Sequence, residues 1–529
     1  MIMDSSAEPV VLSLSYGFHD SCVALSVGTE VVCVLELERL FRIKKMSANR
    51  DQVQAAALLM LNKFGLGPEA VDLVVTNAAP HKFWNTDVEP DDVEETSLDL
   101  FGRRYPCLEV RHHLAHAGMY YLTTLQKALV LPCDGGGNQE FSTVFVGEGD
   151  RLTRVPHGRH ELVNTIAYGV FSGLLYGKSH SEGKMMGLAA LGAADEDLAA
   201  RVRRDYAAAN AGYAEAQRIV EDGYGAWRGT AIGDRDAAAT LARAVQRAFV
   251  ELRCEEVARL YRPEHGAIML LGGSALNLEC NSRVFAELTR EVHIPPDCDD
   301  TGLALGQLAI AVMRLTGHRL APPGPYLGLP EGEPSFRETF ERLPHAMIGE
   351  PAEVAARLAR NAVCCAHVGR GEVGPRALGH RSYLMAATRP DNRTIVSEHI
   401  KRRESYRPVA PIVREDDAGE YFENGPTVSP YMLFNHDVRA EWRDRLTAIT
   451  HFDGTARVQT VSRTQEPFVH EVLTELKALT GVGVLINTSL NASDEPLTDT
   501  LAQTVANFRA VAHTPKFVAY DPDQAPKRA

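Results

Sequence analysis

At 529 residues, with 45% apolar and 23% charged side chains, the chain has the make-up of an ordinary globular protein large enough for about two to four structural units. A net charge of -14 speaks against general nucleic-acid binding and leaves no polybasic membrane footprint. Nine scattered cysteines without a C-x-x-C form neither a disulfide framework nor a zinc ribbon, and suit a reducing cytosol.

The first residues, MIMDSSAEP, have no basic segment and no apolar segment of the kind a secretory signal needs. No apolar run reaches the about 18 residues of a spanning helix. A cytoplasmic location and no membrane partner are therefore expected. Residues 10–36 read as three β-rich segments separated by Tyr16-Gly17-Phe18 and Gly28-Thr29, a hairpin start to a sheet. In RHHLAHAGMYY, His112 and His116 are four apart, and on a helix they share a face, as two imidazoles on one metal ion must. Packed or capping histidines give the same spacing, so the pair needs further ligands. Asp134, ending the run ALVLPC, and Asp300, in PPDCDDTGLALG, sit in turns where side chains can converge on it. Two imidazoles and two carboxylates suit Fe(II), Mn or Zn.

Strand-like runs that end in small-residue loops recur: ALVLPCDGGGN (128–138), AIMLLGGSALN (267–277) and VGVLINTSLN (482–491). Ala-rich helical stretches such as 236–261 lie between them, so the class is α/β. Glycines after a strand let backbone N–H groups approach a phosphate, though most are only turns. In SEGKMMGLAALG (181–192), Lys184 opens an Ala/Leu helix without Walker A spacing. The Pro/Gly-rich stretch 321–334 marks the best boundary, giving units at 1–330 and 331–529. The tail DPDQAPKRA is expected to fray.

Gly369–Ser382 reads GRGEVGPRALGHRS and contains a literal G-x-G-x-x-G after the apolar run NAVCCAHV. In that run Cys364 and Cys365 are adjacent and expected on a buried strand. A dinucleotide-binding turn uses backbone amides and then an acid ending the next strand, a role Asp391 fits poorly. Instead, residues 369–414 hold ten lysines and arginines against four acids, an inversion of the chain's overall charge. Arginine clusters of this kind suit phosphate. Arg402 and Arg403 fit a solvated helix face; Arg376, beside Pro375, does not.

These residues resemble a family. GRGEVGPRALGHRS, IKRRESYRPVAP (400–411), SPYM (429–432), ARVQTV (456–461) and INTSLN (486–491) are similar to the C-terminal part of the O-carbamoyltransferases. GFHDSCVAL, LERLFRIKK, HHLAHA, DGGG, EGKMMGLA and GGSALN resemble the N-terminal part, in order. The resemblance implies an actin/hexokinase-like (ASKHA) N-terminal domain, a duplicated RNase H-like unit, followed by a YrdC-like α/β domain. It implies that carbamoyl phosphate and ATP, with Mg, become carbamoyl adenylate in the second domain. The first domain then transfers the carbamoyl group to a hydroxyl beside an iron ion.

Carried over by motif, His112, His116, Asp134 and Asp300 would be the metal ligands and His19 the base at the acceptor hydroxyl. Lys44, Gly135, Gly136, Gly137, Lys184, Gly272, Gly273 and Ser274 would hold the adenylate. Arg376, Lys401, Arg407, Arg457, Asn487 and Ser489 would hold ATP and carbamoyl phosphate. One departure is Thr240, where relatives often carry a ribose-binding Asp in the helix ending at Gln246.

The expected partner is a small-molecule hydroxyl, with 80–105 and 195–230 as candidate walls of its pocket; a tailoring step on an antibiotic or other natural product is the family's commonest use. Nucleic acid is not expected, and the assembly is a monomer or homodimer. Rival readings are a tRNA threonylcarbamoyl-type transferase, a non-catalytic ATP-binding ASKHA protein, and an NAD dehydrogenase.

Overall fold

The structure is a computed structural model that describes residues 8–77, 93–137, 140–158, 161–331, 347–407, 409–513 and 515–521. Residues 80–92 of one expected pocket wall, Asn138 and all but the first residue of the tail DPDQAPKRA lie outside the described residues.

The first sheet is built from β1 (Val10–Ser15), β2 (Cys22–Val27), β3 (Glu30–Glu36), β4 (Leu73–Asn77), β5 (Val93–Leu100) and β6 (Arg103–Val110), in the order β3-β2-β1-β4-β6-β5. β1, β2 and β3 run antiparallel in succession, whereas β4 and β6 join parallel to β1. The second sheet holds β7 (Lys127–Gly137), β8 (Glu140–Ser142), β9 (Phe145–Glu148), β10 (Arg151–Arg154), β11 (Ala267–Leu271) and β12 (Val292–His293). Its order is β10-β9-β7-β11-β12, again antiparallel on the hairpin side and parallel on the other, with β8 off the end of β7. The same layout therefore occurs twice, as the ASKHA resemblance implies.

Two helices, His112–Gly118 and Leu303–Thr316, pack between these sheets. They approach closely because both present glycine. A Cβ on Gly306 would lie 1.8 Å from the Ala115 carbonyl oxygen, and one on Gly118 would lie 2.3 Å from that of Gly306. β1 is buried throughout, and its polar Ser13 is satisfied by Gln307 Oε1 at 3.1 Å. Buried hydroxyls need such a partner.

The C-terminal sheet contains β13 (Met347–Ile348), β14 (Val363–Val368), β15 (Arg381–Ala386), β16 (Ala410–Arg414), β20 (Gln459–Val461), β21 (Val484–Ser489) and β22 (Lys516–Asp521). Its order is β13-β22-β14-β15-β21-β16-β20. The intervening β17 (Phe422–Glu423), β18 (His436–Val438) and β19 (Thr455–Ala456) form a small sheet of their own. Both faces of the large sheet are covered, and Cys364 and Cys365 on β14 point into opposite cores. All nine cysteines are free and buried.

One expectation holds and one changes. The G-x-G-x-x-G loop leads from β14 into the antiparallel β15, not into a helix, so it is no dinucleotide-binding turn. DGGG is not a free loop after its strand: β7 runs through it, and Gly137 pairs with Glu140 of β8. Among the described residues, no helix is long and apolar enough to cross a membrane.

Candidate active site

The helix His112–Gly118 places His112 and His116 on one face, one turn apart. Asp134 arrives from β7, and Asp300 from the turn that opens the helix Leu303–Thr316. One ligand atom from each of the four lies within 4.8 Å of the others. His116 Nε2 is 3.3 Å from Asp300 Oδ1 and 3.6 Å from Asp134 Oδ2, and His112 Nε2 is 3.5 Å from Asp300 Oδ1. His116 Nε2 and Asp300 Oδ1 are buried, yet neither makes a well-formed hydrogen bond. Buried polar atoms left in this way call for a ligand. A mixed imidazole and carboxylate donor set without thiolate fits Fe(II), Mn or Zn. Gly137 makes room for the cluster, because a Cβ there would sit 2.2 Å from the His112 ring.

Charge and burial compete here. Burial pulls His112 and His113 down, and His113 is turned away to Thr143 Oγ1 at 3.0 Å. Burial also opposes protonation of His116, but the contact with Asp300 outweighs it and leaves the pKa raised. For Asp300 burial is likewise overcome, by the three imidazoles of His112, His116 and His19, which hold it well below the usual carboxylate range.

His19 sits at the rim of the cluster, with Nδ1 2.8 Å from Asp20 Oδ2 and 3.6 Å from Asp300 Oδ2. Its hydrogen bond with Asp20 outweighs desolvation and, aided by Asp300, pushes its pKa up to about 9. Asp20 is shared with Lys45 Nζ at 3.0 Å, so Lys45 is the lysine of RIKK tied to this corner. Asp20 and Lys45 escaped the sequence reading, although each adjoins a residue that did not. His180, edge-on to His19 with ring centroids 5.5 Å apart, was also missed.

One cavity of ≈1250 Å³ runs from this corner into the C-terminal unit. His19, Lys44, Asp134, Gly135, Gly273, Ser274 and Asp300 line it on one side. Arg376, Arg407, Arg457, Asn487 and Ser489 line it on the other, together with Arg393 and Arg403. Arg403 is thus no solvated helix face. The preceding Arg402 adopts a left-handed φ of 47°, which ends the helical path and redirects the chain. No carboxylate of the described residues lies within 4.0 Å of Arg376 or Arg457, and the Nε atoms of both are buried without a hydrogen-bond partner. Burial lowers the pKa of both, and for Arg457 the neighbouring Arg376, Arg403 and Arg407 add to it. Arg376 and Arg457 thus bring positive charge to the cavity wall that suits an anion.

Several expected residues do not face the cavity. Lys184 Nζ reaches Glu404 Oε1 at 3.0 Å instead. Lys401 Nζ is buried and saturated by Ser489 O (2.8 Å), Ser489 Oγ (3.2 Å), Asn491 O (2.8 Å) and Asn491 Oδ1, so it holds the turn after β21. Gly136, Gly137 and Gly272 also stand outside the lining. Gly272, at φ 79°, lets the end of β11 meet β7, where a Cβ would lie 2.4 Å from the Cys133 carbonyl oxygen. Gly273 N–H donates to Asp134 Oδ2 at 2.8 Å, joining the GGS and DGGG segments through one carboxylate. Asn487 Nδ2 donates to Ala377 O at 3.0 Å, bracing the segment after Arg376.

Thr240 is turned back on its own helix, with Oγ1 on Asp236 O at 3.0 Å. Gln246 does line the cavity, in a reciprocal amide pair with Asn277 at 3.0 Å and with Nε2 2.8 Å from Glu279 Oε2. From the expected acceptor wall 195–230, Tyr213, Gln217, Glu221 and Arg228 reach the cavity.

A duplicated α/β unit with a His/Asp cluster thus opens through one cavity onto an arginine-lined α/β unit. Residues 97–309 match the family described as Carbamoyltransferase N-terminus, and residues 355–515 match Carbamoyltransferase C-terminus. These matches take in well over half of the chain, which belongs to the carbamoyltransferase family. Nodulation protein U of Azorhizobium caulinodans is 29% identical over 547 residues, covering 90% of this chain and 92% of that protein. Nodulation protein NolNO of Sinorhizobium fredii is 33% identical over 553 residues, covering 93% of this chain and 76% of that one. A 3'-hydroxymethylcephem-O-carbamoyltransferase of Amycolatopsis lactamdurans is 38% identical over 245 residues, 45% of each chain. The chain is thus a member of a family of carbamoyl-group transferases.

Proposed function

We propose that the protein uses ATP, with Mg, and carbamoyl phosphate to form carbamoyl adenylate, and passes the carbamoyl group to a hydroxyl of a small molecule. The observation that carries this is the single ≈1250 Å³ cavity lined by Asp134 and Asp300 on one side and by Arg376, Arg407 and Arg457 on the other.

Carbamate is a poor electrophile, and a mixed anhydride with AMP gives it a good leaving group. Making that anhydride consumes one water, which splits carbamoyl phosphate into carbamate and phosphate; a carbamate oxygen then displaces pyrophosphate from the α-phosphorus of ATP, and several negative charges meet in one place. Arg376, Arg403, Arg407 and Arg457 offset their repulsion. Passage through the shared cavity would limit the exposure of the anhydride to bulk water. At the other end the acceptor hydroxyl is weak, and His19 is placed to take its proton. That role needs the neutral imidazole. The Asp20 hydrogen bond, the largest cause of the raised pKa, favours the protonated form, whereas a cation held by Asp300 would oppose it. His112, His116, Asp134 and Asp300 would hold the cation, Fe(II) or else Mn or Zn, which would supply Lewis acidity to the transfer step.

The relative named for a cephem supports a natural-product alcohol as acceptor, in an antibiotic-tailoring step in the cytoplasm. We take the protein to act without nucleic acid or membrane, as a monomer or homodimer. The test is to supply metal-loaded protein with ATP, Mg and carbamoyl phosphate. Pyrophosphate and AMP should appear, and a panel of natural-product alcohols should show a carbamoyl mass increase on one of them. No pyrophosphate with both phosphates present overturns the adenylate route.

A further inference from the structure

The G-x-G-x-x-G loop of the C-terminal unit is gripped by two side chains of the N-terminal one. Arg39, in the short helix Leu37–Phe41, sends Nη2 to the Gly374 carbonyl at 2.8 Å and Nη1 to that of Glu372. Glu36, at the end of β3, stands 3.0 Å from Arg39 Nη2 and accepts the Gly374 N–H at 2.7 Å. Both side chains are 5% exposed. The donor and acceptor of Gly374 are therefore both held from the same side. On the other side Gly374, at φ 88°, lies against Pro296, so closely that a Cβ would come 2.3 Å from the Pro296 carbonyl oxygen. Two residues beyond Gly374 is Arg376, in the cavity; four beyond Pro296 is Asp300.

A buried ion pair is a weak source of stability, because desolvation offsets most of its attraction. The pair is not needed to join the units either. Arg42 bonds Leu497 O (2.6 Å) and Pro496 O (2.9 Å), and Arg370 bonds Val32 O (2.8 Å) and Leu327 O (2.6 Å). What Glu36 and Arg39 determine is where one loop lies. We propose that Glu36 and Arg39 are positioning residues for Arg376, so that the N-terminal unit completes the anion site of the C-terminal unit. This rests on the reading that Arg376 holds carbamoyl phosphate.

The test compares the full-length Glu36→Gln/Arg39→Met double variant, Arg376→Ala, the triple variant and Arg39→Lys with the parent. Carbamoyl phosphate affinity is measured by calorimetry, the KM and kcat for pyrophosphate release by turnover, and folding by Tm. The double variant should bind carbamoyl phosphate about 10- to 100-fold more weakly, the scale of a misplaced arginine, with a Tm near the parent's. The triple variant should bind no more weakly than Arg376→Ala, since the pair acts through that residue. Arg39→Lys keeps the charge beside Glu36 but loses the fork on Glu372 and Gly374; it should raise KM with kcat less affected, and it avoids an uncompensated carboxylate. Parental affinity in the double variant, a parental KM in Arg39→Lys, or additive losses in the triple variant overturn the proposal. Parental affinity in Arg376→Ala removes the anion reading itself, and this inference with it.

Discussion

His116 Nε2 and Asp300 Oδ1 face each other at 3.3 Å, both buried, without a well-formed hydrogen bond between them. The pair has the distance of two ligands of one ion. Its neighbours His112 and Asp134 are close enough to complete the set.

His116→Ala should reduce bound metal, read by plasma mass spectrometry, and cut carbamoyl transfer by at least about 100-fold, as loss of a metal-ion Lewis acid does. AMP formation from ATP and carbamoyl phosphate should persist. Equal metal content in variant and parent would exclude His116 as a ligand.

Arg376→Ala and Arg457→Ala should each lose AMP and pyrophosphate formation by about 100-fold or more, because each leaves the remaining phosphate charge without its counter-ion. Radiolabelled ATP turnover measures this. Near-parental AMP release from Arg376→Ala would detach the G-x-G-x-x-G loop from the chemistry.

His19→Ala should slow transfer by roughly 10²–10⁴, the usual contribution of a positioned base, while leaving adenylate formation unchanged. Rapid-quench separation of the two steps reads the difference. A loss confined to pyrophosphate release would move His19 out of the transfer step.

Two buried histidines should contribute a loss of stability as pH drops from about 6.5 to 4, opposed by the carboxyls of Asp297 and Asp299, which burial pushes up to about 7 and about 6. Burial pushes His367 and His451 down to about 4, so the unfolded chain takes up protons at pH values where the folded one does not. Glu331, 3.0 Å from His367 Nε2, is lowered as well: burial works against this, but the bond to His367 prevails, which adds a loss of the same sign at the acid end. Melting curves of parent and His367→Gln across that range should diverge, the variant losing less stability toward acid. An unchanged slope in that variant would rule out His367 as its source.

Gly306→Ala should lower the Tm by roughly 3–10 °C, the effect of overpacking by about 1–3 kcal/mol. It should also lower metal content, because the added carbon pushes away the helix carrying His112 and His116. Gly233→Ala, whose new carbon meets nothing within 4 Å, is the control. Equal Tm values for the two variants would refute the close helix contact.

The parts of the site that sequence shows are those written in short-range spacing. His112 and His116 four apart imply a shared helix face, and the local excess of arginine over acid marks the basic wall. The α/β class follows from strands that end in small-residue loops. What sequence hides is decided by partners far along the chain. Lys184 is drawn to Glu404, and Lys401 to Ser489 and Asn491, so neither faces the cavity. Arg403 faces it only because Arg402 reverses the chain, which a run of basic residues does not reveal. Lys45 was passed over for Lys44 because the two are adjacent, and only the position of Asp20 separates their roles.

The cavity wall begins at His19 and ends at Ser489, nearly the whole span of the polypeptide. During synthesis the two N-terminal sheets can be finished long before the last wall segment leaves the ribosome. The chamber is therefore a late feature to close, and a prematurely released product carries an open trough with its histidines in place and the arginines of its C-terminal wall missing.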